Sequence, residues 1–234
     1  MTVTTNRLTA AAGLCAVAAG AIFIGVQVNH PPMDSFLTDT NEWVIRCSAK
    51  AVMTVLALVG ITGLYLRQVR QMRVLGLVGF VLFAAGYLML WATEVMAVTI
   101  LPALTETAPR FAKDVVVAAG GGTPVGDIGD LQTFFGLTGA CYLLGGLVFG
   151  IALFRARIVA RWASVLLAVS TVATAALAVL PEGFTRPLAV PEGVALIGLG
   201  ISLWRDSRDT AGTAADQSSP AGSSASRPDV AAVR

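Results

Sequence analysis

Residues 74–101, VLGLVGFVLFAAGYLMLWATEVMAVTIL, form an apolar run that holds one charged side chain, Glu94. About 20 apolar residues rising ~1.5 Å each cover the ~30 Å hydrocarbon core of a bilayer, so a run of this length predicts a membrane-spanning helix. It is not alone. Further apolar stretches fall at about 8–28, 44–66, 131–154, 162–180 and 186–204. The expected fold class is therefore an all-α integral membrane protein, with six transmembrane helices in one bundle over residues 1–204. Composition supports the class: charged residues are 13% of the chain, against about 25% in soluble domains. Residues 205–234 are rich in Ser, Ala, Gly and Asp without apolar periodicity, and read as a disordered cytoplasmic tail.

The cations set the expected orientation. Arg7, the trio Arg67, Arg70 and Arg73, the trio Arg155, Arg157 and Arg161, and Arg205 with Arg208 lie at one end of the alternating runs. Arg46, Lys50, Arg110, Lys113 and Arg186 lie at the other. The larger set sits in the short connections that govern topology, which predicts cytoplasmic termini and a multi-pass cell-membrane protein. The first run is too long for the ~7–15 apolar residues of a signal peptide and reads as a retained helix.

Several chemistries are not indicated. A net charge of +2, with the arginines in connections rather than on one face, gives no nucleic-acid surface. Cys15, Cys47 and Cys141 are widely spaced in apolar surroundings and make neither a zinc site nor a disulfide framework. His30 and Met33 are half of a copper site at most, so no metal and no cofactor is expected. The Gly120-Gly121-Gly122 turn lacks the strand before it and the Lys-Ser/Thr after it that a phosphate loop needs. The segment around it, 105–131, is the longest polar connection, within which residues 111–119 have the pattern of a short amphipathic helix on the membrane surface or across the bundle.

Glu94 needs a partner or a task, because an ionisable group at membrane depth is costly. Runs two and three are joined by the short basic link RQVRQMR and must form an antiparallel hairpin. Folding that hairpin about Arg70 puts Arg46 at the depth of Glu94, with Lys50 a turn deeper as the second cation. The expectation is an Arg46–Glu94 ion pair at the rim of an outward pocket, screened by Trp91 three residues before Glu94 on the same face. Gly146 and Gly150 form a GxxxG spacing in the fourth run, which predicts close packing inside the chain or, as the other possibility, a homodimer seam.

Two Pro-Glu-Gly tripeptides, 181–183 and 191–193, stand ten residues apart. The sixth run ends at Trp204, so Glu192 lies deep in it. The helix either starts at Pro191 inside the outer leaflet, or begins near Thr185 and kinks. In both cases Glu192 faces the bundle or a watery opening rather than lipid. With no obvious cation nearby, Glu192 is a better candidate acid than Glu94, whose neighbour Arg46 would favour the ionised form.

The stretches ALFRARIVARWASVLLAV and VPEGVALIGLGISLWRD resemble a broad group of uncharacterised multipass membrane proteins of actinobacteria. The resemblance covers the last two helices and the connection before them, implies a small helical membrane protein, and carries no catalytic residues. Three function classes stay open. One is a non-catalytic protein whose outward polar pocket (Arg46, Lys50, Trp91, Glu94) binds a membrane lipid or small hydrophobic ligand. Another is an intramembrane enzyme acting on an isoprenoid-like substrate through Glu192 or Glu94. The third is a small transporter, for which no convincing internal repeat is present. A soluble partner for the tail is left open.

Overall fold

The computed structural model describes residues 4–175 and 182–218, and within them every regular element is a helix. In chain order these are α1 (Thr5–Gly25), a 3-10 turn (Met33–Leu37), α2 (Thr40–Thr99), α3 (Leu101–Thr107), α4 (Pro109–Ala119), α5 (Leu131–Ala156), α6 (Arg161–Ala175) and α7 (Glu182–Ser218). Three are long and apolar enough to cross a membrane: α1, α2 and α5, with 21, 60 and 26 residues. The chain is thus a helical protein of membrane type. The helix expected at 162–180 is seen as α6, and residues 176–180 lie outside the described residues.

The boundaries follow local chemistry. Thr4 caps α1, its side chain accepting from the Arg7 N–H at 3.4 Å, so the helix starts earlier than its first apolar residue. The RQVRQMR link is helical rather than a loop. The chain turns at Arg73 alone, whose φ of 50° and ψ of −147° divide α2 into arms of residues 40–72 and 74–99. The arms run antiparallel: Tyr65 stacks on Phe80 with ring centroids 4.5 Å apart and planes 6° from parallel.

Around this hairpin the helices close a cycle. The second arm packs on α5, α5 on α6, α6 on α7, α7 on α1 and α1 on the first arm. Small residues set the spacing. A Cβ added at Gly13 would lie 2.7 Å from the Gly200 carbonyl oxygen, and one at Gly193 would lie 2.8 Å from that of Gly20. These two contacts, seven residues apart on each helix, make α1 and α7 antiparallel and in near-backbone contact. Gly146 meets Thr171, and Gly150 meets Ala168 and Ser164, so the GxxxG seam is used inside the chain between α5 and α6. All six rods contribute to one apolar core, from Ala19 and Ile61 through Phe83 and Phe149 to Leu167 and Leu199.

The other end is capped. Amphipathic α4 buries Ala112, Val115, Val116 and Ala118 in a second core with Phe36, Trp43, Cys47, Leu101 and Ile128. Asp114 of α4 holds the glycine-rich turn by accepting from the Val125 and Gly126 N–H groups at 3.0 and 3.1 Å. At the opposite end α7 does not stop at 204 as expected but continues to Ser218. Contacts carry it on: Arg67 pairs with Asp206 at 2.6 Å, Ser207 is buried, and Arg208 lies over the Trp204 ring. Residues 219–234 of the expected tail lie outside the described residues. Both Pro187 and Pro191 fall within α7, so the second Pro-Glu-Gly is embedded in a helix that began at Glu182.

Candidate functional site

The hairpin delivers Glu94 to the boundary between the two cores, buried at 7% exposure. Its cation is Lys50, with Nζ 4.0 Å from Oε1. The expected Arg46–Glu94 pair is not formed. Because the chain turns at Arg73 rather than Arg70, the position level with Glu94 moves from 46 to about 52, within reach of the long Lys50 side chain. Arg46 instead closes the end of α1. Its guanidinium donates to the carbonyls of Val26 and Val28 at 3.0 Å and of Asn29 at 2.9 Å, and pairs with Glu42 at 2.6 Å. A cation is favoured there, since the last carbonyls of a helix lack intrahelical donors and carry the negative end of its dipole.

Trp91 does not screen the pair either. It points outward at 38% exposure, and the covering tryptophan is Trp43, buried, with Lys50 Nζ 5.8 Å from its ring centre. Trp43 is fixed by an Nε1–H donated to Ser35 Oγ at 3.1 Å and by edge-on contact with His30 at 4.9 Å. His30 is therefore a packing residue of the cap rather than a solvated loop side chain. The Cys47 thiol completes the surroundings of Glu94 as a weak donor.

Glu192 sits in a different environment. It is fully buried, and the donors facing it are two tyrosines: Tyr87 of the second arm at 3.4 Å and Tyr142 of α5, both directed to Oε1. Its Oε2 is buried with no partner, and no basic group forms an ion pair with it among the described residues. Close helix contact explains how the two phenols meet. A Cβ at Gly86 would stand 2.6 Å from the Tyr142 backbone nitrogen, so the absence of a side chain there lets α5 bring Tyr142 beside Tyr87. The tyrosine rings lie T-shaped at 5.4 Å.

Two adjacent cavities lie beside these residues. A small one, about 130 Å³, is lined by Lys50, Glu94, Cys47 and Trp43. It shares Leu90, Thr93 and Ala119 with a cleft of about 590 Å³ between the second arm, α4 and α5. The cleft wall includes Gly136, Gly139, Ala140, Ala118 and Gly120, with Tyr142 also among its lining residues. Gly136 and Gly139 are exposed, and a Cβ added at either would meet nothing within 4 Å, so neither glycine is there to permit helix contact.

Sequence reasoning reached Glu94, Lys50 and Glu192 but missed Tyr87, Tyr142, Trp43 and Cys47. The tyrosines carried a usable signal. The chain has three, and a phenol in an apolar helix needs a partner when buried. No protein-family model matches the chain, and no curated protein or solved structure matches it.

Proposed function

We propose that this chain is a six-pass plasma-membrane protein with cytoplasmic termini that binds a lipid or small hydrophobic ligand in the cleft under α4. The observation that carries the reading is a cleft of about 590 Å³ between the second arm, α4 and α5, set beside the Lys50–Glu94 cavity with Leu90, Thr93 and Ala119 lining both. A binding site for an amphiphile needs an apolar body with a few placed polar groups, and a volume in the hundreds of Å³. The cleft and the cavity beside it together have that make-up. The topology rests on the cations: the Arg67–Asp206 end carries both the start of α1 and the late turns of α7, and it has the arginine excess expected of a cytoplasmic face. The likeness of the last two helices to actinobacterial multipass proteins is in keeping with a membrane role and assigns no residue.

The test is to extract and identify by mass spectrometry whatever co-purifies with the wild-type protein and with Gly139→Leu. Gly139 lines the cleft and a Cβ added there meets nothing within 4 Å, so leucine at 139 adds bulk to the cleft wall without a clash at its Cβ. The expected result is an amphiphile enriched on the wild type and depleted on the variant at equal folded yield. Identical lipid profiles would overturn the reading. A reporter fused after Arg234 should be active only in the cytoplasm.

A further inference from the structure

We propose that the end of the bundle formed by the hairpin apex and the end of α5 is a docking surface for an anionic phospholipid, read by Arg73 and Arg155 with Arg70 and Arg157 beside them, a proposal that rests on the membrane reading above. Helix register sets the pairing. Gly79 of the second arm lies against Phe149 of α5, and Gly86 lies against Tyr142, so the two antiparallel helices keep step over seven residues. Six residues further on, Arg73 comes level with Arg155. Arg70, Arg73, Arg155, Arg157 and Arg161 are all exposed, and none of them forms an ion pair with an acid among the described residues. Arg161 lies over the Phe154 ring at 4.2 Å, which fixes the guanidinium without cancelling its charge. The acids described at this end are Asp206 and Asp209 of α7, and Asp206 pairs with Arg67. Beyond position 209 the sequence sets Asp216 and Asp229 against Arg227 and Arg234, so it adds no net charge to offset the surface.

The backbone shows that these side chains are kept at a cost. Three non-glycine residues have a left-handed φ: Asn29 at 49°, Arg73 at 50° and Arg157 at 60°. Asparagine tolerates that region because its short amide bonds locally, whereas arginine has no such compensation. At the opposite end the chain uses glycine for the same purpose, at Gly121 and Gly129. Glycine would equally serve the hairpin apex at 73 and the cap of α5 at 157 with less strain. Both positions carry a guanidinium instead. Next to them along the same helices Val74, Leu75 and Ile151 are apolar and exposed, and Trp162 follows Arg161 in the same condition. On membrane-spanning helices such side chains meet acyl chains, which puts the arginines at the level of the head groups. A guanidinium matches a phosphate with two parallel N–H donors, and a pair of them at one level suits a head with net negative charge. A zwitterionic head brings its own ammonium to the same surface and loses most of the attraction.

The probes are phosphatidylglycerol and phosphatidylcholine with identical acyl chains, titrated onto the full-length protein in detergent and counted by native mass spectrometry. The wild type should prefer phosphatidylglycerol by about tenfold or more, and the preference should shrink as salt rises. The double variant Arg73→Gly with Arg157→Gly should bring the two lipids to within about twofold of each other, while its melting temperature in detergent stays level or rises because glycine relieves both left-handed positions. Arg155→Gln, at an ordinary helical position, should lower the preference about threefold or more and gives a second readout should the glycine variant fold poorly. Arg110→Gln, which removes an exposed cation at the opposite end, should leave it unchanged. Equal wild-type affinity for the two lipids, or a preference that survives both the double variant and Arg155→Gln, would overturn the inference and leave the arginines to a soluble acidic partner or to topology alone. Recovery of the protein outside the membrane fraction of the cells that make it would sink the inference together with the membrane reading.

Discussion

Glu94 and Glu192 are both carboxyl groups inside an apolar helical bundle, yet the chain treats them in opposite ways. Glu94 is met by a cation from the other arm of its own hairpin, Lys50, with Trp43 and Cys47 closing round it. Glu192 is met by two neutral donors from two other helices, and one of its oxygens goes unmatched. The first arrangement is locally complete. The second has hydrogen bonds but no compensating charge among the described residues. A buried acid with its own cation behaves as a structural element, whereas a buried acid without one depends on its hydrogen-bond donors.

Breaking the Glu192 site should cost most where it also breaks helix contact. Gly86→Leu puts a side chain against the Tyr142 backbone, with a Cβ 2.7 Å from the Tyr142 Cα, in a seam where neither backbone can yield. The expected loss exceeds ~3 kcal/mol, and no monodisperse protein should elute in detergent size-exclusion chromatography. Glu192→Ala comes next. It removes the acceptor shared by Tyr87 and Tyr142 and orphans two buried hydroxyls, a cost of about 2 kcal/mol or more. Glu192→Gln keeps a carbonyl acceptor and should lose less than ~1 kcal/mol. Thermal unfolding followed by circular dichroism separates the two. Equal melting temperatures for the alanine and glutamine variants would mean that the phenols do not depend on Glu192.

Lys50→Met addresses the other carboxyl. It leaves Glu94 buried without its cation, and the expected destabilisation is about 1–2 kcal/mol, since the pair is nearly but not fully enclosed and stands at 4.0 Å. Adding Glu94→Gln should recover most of that loss, because a neutral pair no longer needs a charge. If the double variant is no more stable than Lys50→Met, the pair is not the reason Glu94 is tolerated. The contrast with Glu192 then loses its basis.

How much of this was legible before the structure depends on whether a feature is local. Apolar run length placed α1, the second arm and α5 to within about three residues, because helix length in lipid is set by bilayer thickness, whereas the first arm and α7 run on through polar residues that a hydropathy criterion excludes. The hairpin was legible too, but its apex was not. Arg73 adopts a left-handed φ that nothing in RQVRQMR announces, and the three-residue displacement from Arg70 exchanged Lys50 for Arg46 as the partner of Glu94. Arg46 found closer acceptors, the freed carbonyls at the end of α1, which belong to a helix that depth arithmetic on one hairpin ignores. Trp91 fell on the expected helix but on its outer face. The Tyr87–Tyr142–Glu192 cluster joins three helices separated by 50 and 105 residues in sequence, and only glycine seams such as Gly86 against α5 decide that those three meet.

A third ion pair calibrates the comparison. Arg67 and Asp206 are as close as any ion pair among the described residues, at 2.6 Å, but their side chains are 35% and 27% exposed at the end of the bundle where the late turns of α7 begin. Distance alone would rank this pair above Lys50–Glu94, while burial ranks it far below. Water and salt screen exposed charges, and ordering two long side chains offsets part of the attraction, so Arg67→Ala should cost no more than ~0.5 kcal/mol. Thermal unfolding at low and high salt gives the decisive reading. The Arg67→Ala difference should shrink toward zero as salt rises, whereas the Lys50→Met difference should persist, because ions do not reach a pair enclosed by Trp43, Cys47 and the α4 cap. If both differences vanish together in high salt, Glu94 is solvated like Asp206, and burial is not what distinguishes the acids of this bundle.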